Sequence, residues 1–370
     1  MSAYKTIFFL GATGYLGSEF LLLLNREFPD LHIVALLRNV TQEREAQLRA
    51  LYPNSSVVEG TLDDDAVIRE QAAKADIVIN CASSDHTPSV ISTLAGLEIN
   101  SKNNPGRPPL YLHVSGCGII SDNARGEPVE YVKEWSDIGL DLKEYVLLFR
   151  SCNRRNMHLD SDIPIVEAGS RKENPVRTII YYPGQIYGVG EGIQKTTLWL
   201  RIFLDMTKKL GFAGTWGPGA NTMNNIHVRD CANGLLLVLK AALEGKADEG
   251  PEGLYFSASM EPKKTYHEWT KVMGDVGVLL QVLDSPTPLL IAGPPRCSTC
   301  FEKGIINQAG SRPLPNEVVD PLGEYGWSLL GGNLFVKPER LAKLGWEPVE
   351  TKKTPLLESL PSMIDAALQG

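Results

Sequence analysis

The stretch that most constrains this chain is Gly11-Ala12-Thr13-Gly14-Tyr15-Leu16-Gly17. It follows a short apolar run, Thr6-Ile7-Phe8-Phe9-Leu10, that reads as a buried strand. It precedes Ser18-Glu19-Phe20-Leu21-Leu22-Leu23-Leu24, which reads as a helix. Strand, glycine-rich turn and helix N-terminus together make a dinucleotide cradle. The first glycine allows the tight turn, the middle one lets backbone approach a pyrophosphate, and the last lets the helix pack on the strand. Free N–H groups and the positive end of the helix dipole then face the phosphates.

Strand and helix signals alternate behind this turn, as parallel βαβ units require. The second strand is read as His32 to Leu37, the third as Ser56 to Gly60, the fourth as Ala75 to Ala82, the fifth as Leu110 to Gly116 and the sixth as Arg177 to Tyr182; Leu254 to Ser257 closes the sheet. Arg38 ends the second strand, where an acid would accept from the adenosine 2′-hydroxyl of NAD and an arginine suits the 2′-phosphate of NADP. With Asn39 next and no acid before Glu43, NADP(H) is the expected cofactor and NAD(H) the weaker one. A net charge of −8 argues against a nucleic-acid partner. No apolar run spans a membrane, and no basic, cleavable leader precedes the first strand, so the expected setting is cytoplasmic.

The spacing G-x-x-G-x-x-G, written here Gly-Ala-Thr-Gly-Tyr-Leu-Gly, resembles the short-chain dehydrogenase/reductase superfamily, in its extended epimerase/dehydratase-like branch or the neighbouring NmrA-like one. That resemblance implies an α/β fold: a Rossmann-like, doubly wound parallel sheet with a smaller mixed C-terminal substrate lobe. It implies residues 1–187 as the nucleotide domain, with 226–260 returning to it, and 188–225 with 261–370 as the substrate lobe. It implies cofactor contacts along Gly11, Thr13, Gly14, Tyr15, Leu16 and Gly17. Leu62 would border the adenine, although Thr61 stands where the family has an aspartate. Cys81, Ala82 and Ser83 would lie along the nicotinamide ribose. Pro183 and Ile186 fall in Tyr182-Pro183-Gly184-Gln185-Ile186-Tyr187-Gly188, similar to the family's Arg-Pro-x-x-x-Tyr-Gly. Ser115 falls where the family carries the serine that bonds a substrate carbonyl or hydroxyl.

The family's Tyr-x-x-x-Lys is missing, because no tyrosine has a lysine four residues later. Counting back from the sixth strand puts His158 and Asp162 near those positions, on a helix read from Arg154 to Gly169. A residue pair four apart shares a helix face. Imidazole titrates near neutrality and could exchange a proton without a lysine, with Asp162 orienting or charging it. The opposing reading is a surface His/Asp pair on an amphipathic helix, with Pro164 a source of kinking.

Asp63 reads as an N-cap for the third helix and Asp230 as one for Cys231 to Leu243. His227 reads as structural, and His86 as facing the cleft or water. Gly188 to Asn225 carries Trp199, Arg201, Phe212 and Trp216, which suit either a small-molecule pocket or a core. Pro286 to Pro315 is loop-rich and could form a lid; Leu344-Gly345-Trp346-Glu347-Pro348 resembles the family's terminal Leu-Gly-Trp-x-Pro, ahead of a last helix over Pro355 to Leu368. Of six cysteines, Cys81, Cys117, Cys152 and Cys231 read as single packed residues. Cys297 and Cys300 form a C-x-x-C without the second pair that zinc needs, so no metal is expected. Three functions stay open: an NADP(H)-dependent oxidoreductase or epimerase of a small carbonyl or hydroxyl compound, a non-catalytic NADP(H) sensor or scaffold, and a non-redox acid/base enzyme that keeps its nucleotide. A small-molecule substrate and, at most, a homodimer partner are expected.

Overall fold

Strands buried on both faces must be apolar along most of their length; the chain supplies six such runs and a seventh, Ser55–Glu59, that is only partly buried. In a computed structural model, which describes residues 4–122, 124–144, 157–261, 263–283, 308 and 310–369, they form one parallel sheet. The strands are β1 (Thr6–Leu10), β2 (His32–Leu37), β3 (Ser55–Glu59), β4 (Ile77–Asn80), β5 (Leu110–Val114), β6 (Arg177–Pro183) and β7 (Leu254–Ser257). Their order is β7-β6-β5-β4-β1-β2-β3. The order reverses between β1 and β4, which leaves a crevice beyond their C-terminal ends. Ends differ from the sequence expectation by a residue or two, most at β4 and β5, where Cys81-Ala82 and Ser115-Gly116 already belong to the crevice loops.

Helices α1 (Tyr15–Glu27), α2 (Gln42–Leu51), α3 (Asp65–Lys74), α4 (Thr87–Asn103) and α5 (Leu159–Gly169) connect the first six strands. Helices α6 (Leu198–Leu210), α7 (Val228–Leu243), α8 (Tyr266–Leu283) and α9 (Leu356–Gln369) follow, with short elements between. Alternate strand residues feed two cores. Ile7, Phe9, Ile33, Ile79 and Leu112 pack with α1, α2 and α7. Phe8, Leu10, Val78, Tyr111 and Ile180 pack with α3, α4 and α5. The aromatics of the second lobe are core: Phe203, Trp216, Tyr266 and Trp269 are almost wholly buried and stack edge to face or tilted. Among the described residues no helix is long and apolar enough to cross a membrane.

Three local expectations are corrected. Helix α5 begins at Leu159, not Arg154, and residues 154–156 lie outside the described set, as do Cys152, Cys297, Cys300 and most of the proposed lid. Pro164 sits inside α5 and the helix runs on through it. Asp63 caps nothing: α3 follows Asp64, whose carboxylate accepts from the Thr61 backbone and hydroxyl (2.6 and 2.9 Å), while Asp63 pairs with His86 (3.0 Å).

Asp230 is the third. The cap of α7 is His227, whose Nδ1 accepts from the Arg229 N–H, so α7 starts three residues before Cys231. Asp230 instead points back at the C-terminal segment. It accepts from Glu350 N (3.0 Å), Thr351 N (2.6 Å) and Thr351 Oγ1 (2.7 Å), and its carbonyl receives the Trp346 indole N–H (3.1 Å). The segment from Trp346 to Thr351 is therefore docked on α7 by Asp230, through its carbonyl to Trp346 and its buried carboxylate to residues 350 and 351. Replacing Asp230 with Ala strands the Glu350 and Thr351 donors and should cost about 3 kcal/mol, on the order of hydrogen bonds to a charged group. A urea midpoint equal to that of the unmodified protein would show that the segment holds without it.

Candidate functional site

The turn between β1 and α1 is shaped by contacts only glycine permits. Gly11 has φ +84°, and a Cβ there would lie 2.5 Å from the Ala82 nitrogen. A Cβ on Gly17 would lie 2.1 Å from the Gly11 carbonyl oxygen, so α1 packs directly on the turn. The Gly14 N–H closes the turn onto Gly11 O (3.0 Å), and α1 begins one residue later with its first-turn N–H groups free of helical partners.

This turn forms one wall of a cleft of about 1200 Å³. Gly11, Thr13, Gly14, Arg38, Leu62, Cys81 and Ala82 line it. Tyr15, Leu16, Gly17, Ser83, Pro183 and Ile186 are not part of its wall. Tyr15 instead turns away and donates to Gly188 O (2.6 Å), and Ile186 pairs in register with Ile226 in a short parallel ladder. His86 does line the cleft; with Nδ1 accepting from Ser89 N, its Nε2 faces Asp63 and ties the α3 and α4 entrances together.

The cleft also carries cations besides Arg38. Arg44, on α2, donates to the Arg38 carbonyl and so sits beside that strand end. Lys195 and Arg201 line the far side. None of Arg38, Arg44, Lys195 and Arg201 makes an ion pair with a described acid, so a chain of net charge −8 keeps four unpaired cations around one cleft. That is the electrostatics of a polyanion site. The glycine contacts and this charge both fit a dinucleotide. Across the cleft runs Gly188 to Thr196, fastened to α1: the buried Glu19 carboxylate accepts from Glu191 N (2.7 Å) and Gly192 N (3.2 Å), and Ser18 Oγ from Ile193 N (2.9 Å).

Ser115, His158 and Asp162 are all buried and lie together, beneath the strand ends rather than on the wall of this cleft. His158 and Asp162 do not pair through their side chains. His158 Nδ1 meets Asp85 Oδ1 at 2.7 Å, and the same oxygen accepts the His158 backbone N–H (3.0 Å). With Nδ1–H given to that carboxylate, Nε2 holds the lone pair. It rests over the backbone just past Ser115, where a Cβ on Gly116 or Gly118 would come within 2.9 or 3.0 Å of it. His158 is also a non-glycine residue at φ +72°, the left-handed region, a conformation held at a cost of about 1–3 kcal/mol and concentrated at functional sites. Burial raises the Asp85 carboxyl, but the bonds from His158 and Ser84 outweigh it and hold it below the usual range. Asp85 is the partner missed in the sequence; only its place after the Cys81-Ala82-Ser83-Ser84 loop hinted at it.

Asp162 points inward because positions 158, 161, 162, 165 and 166 of α5 share the buried face. Its Oδ2 accepts from Ser115 Oγ at 2.9 Å. His113 Nε2 is 3.8 Å from Oδ1, and the Tyr182 hydroxyl faces the carboxyl outside good bonding geometry. Burial pushes the Asp162 carboxyl up to about 7, against the pull of the His158 charge and the Ser115 bond. Burial, with His158 nearby, lowers His113 to about 3, so its ring is neutral. Among the described residues no cluster of histidines, cysteines and acids could hold a metal, and Cys81, Cys117 and Cys231 are free thiols.

A parallel sheet with a glycine turn at its switch point defines a Rossmann-like fold. The fold is similar to that of solved sugar-nucleotide epimerases and dehydratases, and the NmrA-like family model matches residues 3–91. Oxidase ucsJ of an Acremonium species is 28% identical over 278 residues, 72% of this chain and 76% of that protein. Among solved structures, DesIV, a dTDP-glucose 4,6-dehydratase from Streptomyces venezuelae with NAD and TYD bound, superposes with TM-score 0.59 at 15% identity, over 99% of this chain and 98% of the other. UDP-glucose 4-epimerase from Thermotoga maritima gives TM-score 0.58 at 12% identity, over 98% of each chain.

A carboxyl whose folded pKa is raised binds its proton more tightly when folded. Its contribution is therefore full at low pH and is lost as pH climbs from the unfolded value of about 4 toward 7. Asp162→Asn cannot lose that proton. The stability of the unmodified protein should fall relative to Asp162→Asn by a few kcal/mol across this window, at about 1.4 kcal/mol for each tenfold difference in proton affinity between the folded and unfolded chain. Parallel stability curves in urea from pH 4 to 8 would contradict a raised Asp162.

Proposed function

We propose that the chain is an NADP(H)-dependent oxidoreductase or epimerase of a small carbonyl or hydroxyl compound. The observation that carries this reading is the glycine cradle opening into a cleft with unpaired Arg38 and Arg44 at its β2 end. When bound, the nicotinamide supplies or accepts the hydride. The chain's own residues do the rest. The glycine turn and the α1 N-terminus would hold the pyrophosphate. Arg38 and Arg44 would grip the 2′-phosphate, for which guanidinium is well suited. The Cys81-Ala82 backbone would lie along the ribose. Ser115 would hydrogen-bond the reacting oxygen, and His158 would give or take its proton through Nε2, with Asp85 fixing the tautomer and stabilising the imidazolium. Support comes from the similar dehydratase seen with NAD and from the relative named as an oxidase. The NADP preference rests on the two arginines.

A second reading is favoured by the NmrA-like match and the missing Tyr-x-x-x-Lys: an NADP(H)-binding sensor without turnover. Titration with NADPH and NADH, followed by a carbonyl panel at saturating NADPH, separates the two.

NADPH should bind about tenfold or more tightly than NADH, as one charge-assisted contact provides. Arg38→Ala with Arg44→Ala should remove most of that difference. Equal affinities in the unmodified protein would refute the phosphate contact.

His158→Ala should lower turnover about a hundredfold, the usual contribution of a positioned acid/base. Asp85→Asn should lower it less, in the same direction. Unchanged turnover in His158→Ala, with substrate consumed, would remove the imidazole from the reaction.

A further inference from the structure

Beneath Ser115 lies a buried polar network that a proton relay through His158 does not need. It starts at the cleft, where the Ala82 N–H donates to Asn80 Oδ1 (2.9 Å). That bond fixes the amide, so Asn80 Nδ2 donates to His113 Nδ1 (3.2 Å), and the Tyr111 hydroxyl stands at the same nitrogen (3.2 Å). His113 Nδ1 is therefore the acceptor, and Nε2 carries the hydrogen. That N–H faces Asp162 Oδ1, and Asp162 Oδ2 takes the Ser115 hydroxyl. His113, Asp162 and Tyr182 are fully buried, and His113 Nε2, Asp162 Oδ1 and Tyr182 Oη all lack a hydrogen-bond partner. Buried polar atoms are nearly always satisfied. Three orphans around one carboxyl mean that a single proton decides how the cluster bonds.

We propose that Asp162 sets the hydrogen-bonding polarity of Ser115: a protonated Asp162 makes the serine a donor toward substrate, and an ionised one makes it an acceptor. In the first state the acid O–H donates to Ser115 Oγ, and the serine hydrogen is free for a carbonyl oxygen. In the second state the carboxylate accepts the serine hydrogen and draws in the His113 N–H and Tyr182 O–H, leaving the serine lone pairs for a substrate hydroxyl. Only one proton moves, between Asp162 and solvent. The groups facing Asp162 are Tyr111, His113 and Ser115 from the β5 side, Tyr182 from β6, His158 at the start of α5 and Asp85 from the loop after β4. Ser115 is a substrate-facing residue only under the proposed function, and on that point this inference rests on it. Asp162 is a positioning residue, acting through the serine.

Infrared spectroscopy of the whole protein, without cofactor, tests the coupling. A neutral carboxyl band should titrate near neutral pH, vanish in Asp162→Asn and shift upward in Ser115→Ala, which removes its acceptor. Turnover tests the polarity. Reduction of 4-nitrobenzaldehyde by NADPH should fall about tenfold for each pH unit above the Asp162 titration, and oxidation of 4-nitrobenzyl alcohol by NADP⁺ should rise below it. Asp162→Asn should flatten both limbs. A band that ignores Ser115→Ala, or limbs unchanged in Asp162→Asn, would overturn the proposal. A band that responds to Ser115→Ala, with neither probe turned over, would uphold the Asp162–Ser115 coupling and count against the redox reading instead. Ser115→Ala keeps the test open should Asp162→Asn not fold.

Discussion

The contact on which the rest depends is the approach of α1 to the turn that precedes it. No atom larger than hydrogen fits between Gly17 and the Gly11 carbonyl, and none between Gly11 and the Cys81-Ala82 backbone. These two contacts set the angle at which α1 leaves β1 and the distance between the β1 and β4 ends. They hold the free N–H groups of α1 at the switch point of the sheet, where strand order reverses and a crevice is unavoidable. The cations around the crevice come from separate elements, Arg38 from the end of β2, Arg44 from α2 and Arg201 from α6. They converge only because the turn fixes the frame.

The second constraint is the polar layer under α5. Most of that core is apolar, yet it encloses an imidazole, a carboxyl and several hydroxyls with incomplete bonding. Such groups destabilise a core unless they are matched. The left-handed His158, fixed through both its ring and its backbone N–H by Asp85, adds local strain on the same side. Strain and unmatched polarity meet beside Ser115.

The fold was legible because its signals are local. Each sheet strand but the edge strand β3 is a mainly apolar run, largely buried on both faces, and the glycine spacing names the turn. Helix starts were less legible. Asp230 and Asp63 look like caps in sequence, but a carboxylate bonds whichever donors the fold brings near, and Asp230 found those of residues 350 and 351. His158 and Asp162 were found by spacing, yet their partners were not. His158 looks across to Asp85, 73 positions away, and Asp162 to Ser115, 47 positions away. No periodicity carries such pairings. The same holds for Arg44, whose value lies in facing the cleft beside Arg38 rather than in any motif.

The strap from Gly188 to Ile193 bears on how the molecule comes apart. Its backbone N–H groups are the partners of Glu19, a nearly buried carboxylate, and of Ser18, while Tyr15 donates to its first carbonyl. All three side chains project from the first two turns of α1, the helix that carries the cradle. A fragment ending at residue 187 would strip Glu19 of its donors and bare the apolar face that α1 packs against α7. The half that carries the glycine turn is therefore not an autonomous module to which a second lobe was appended. The two halves should melt in a single cooperative transition, and limited proteolysis should spare the junction between them.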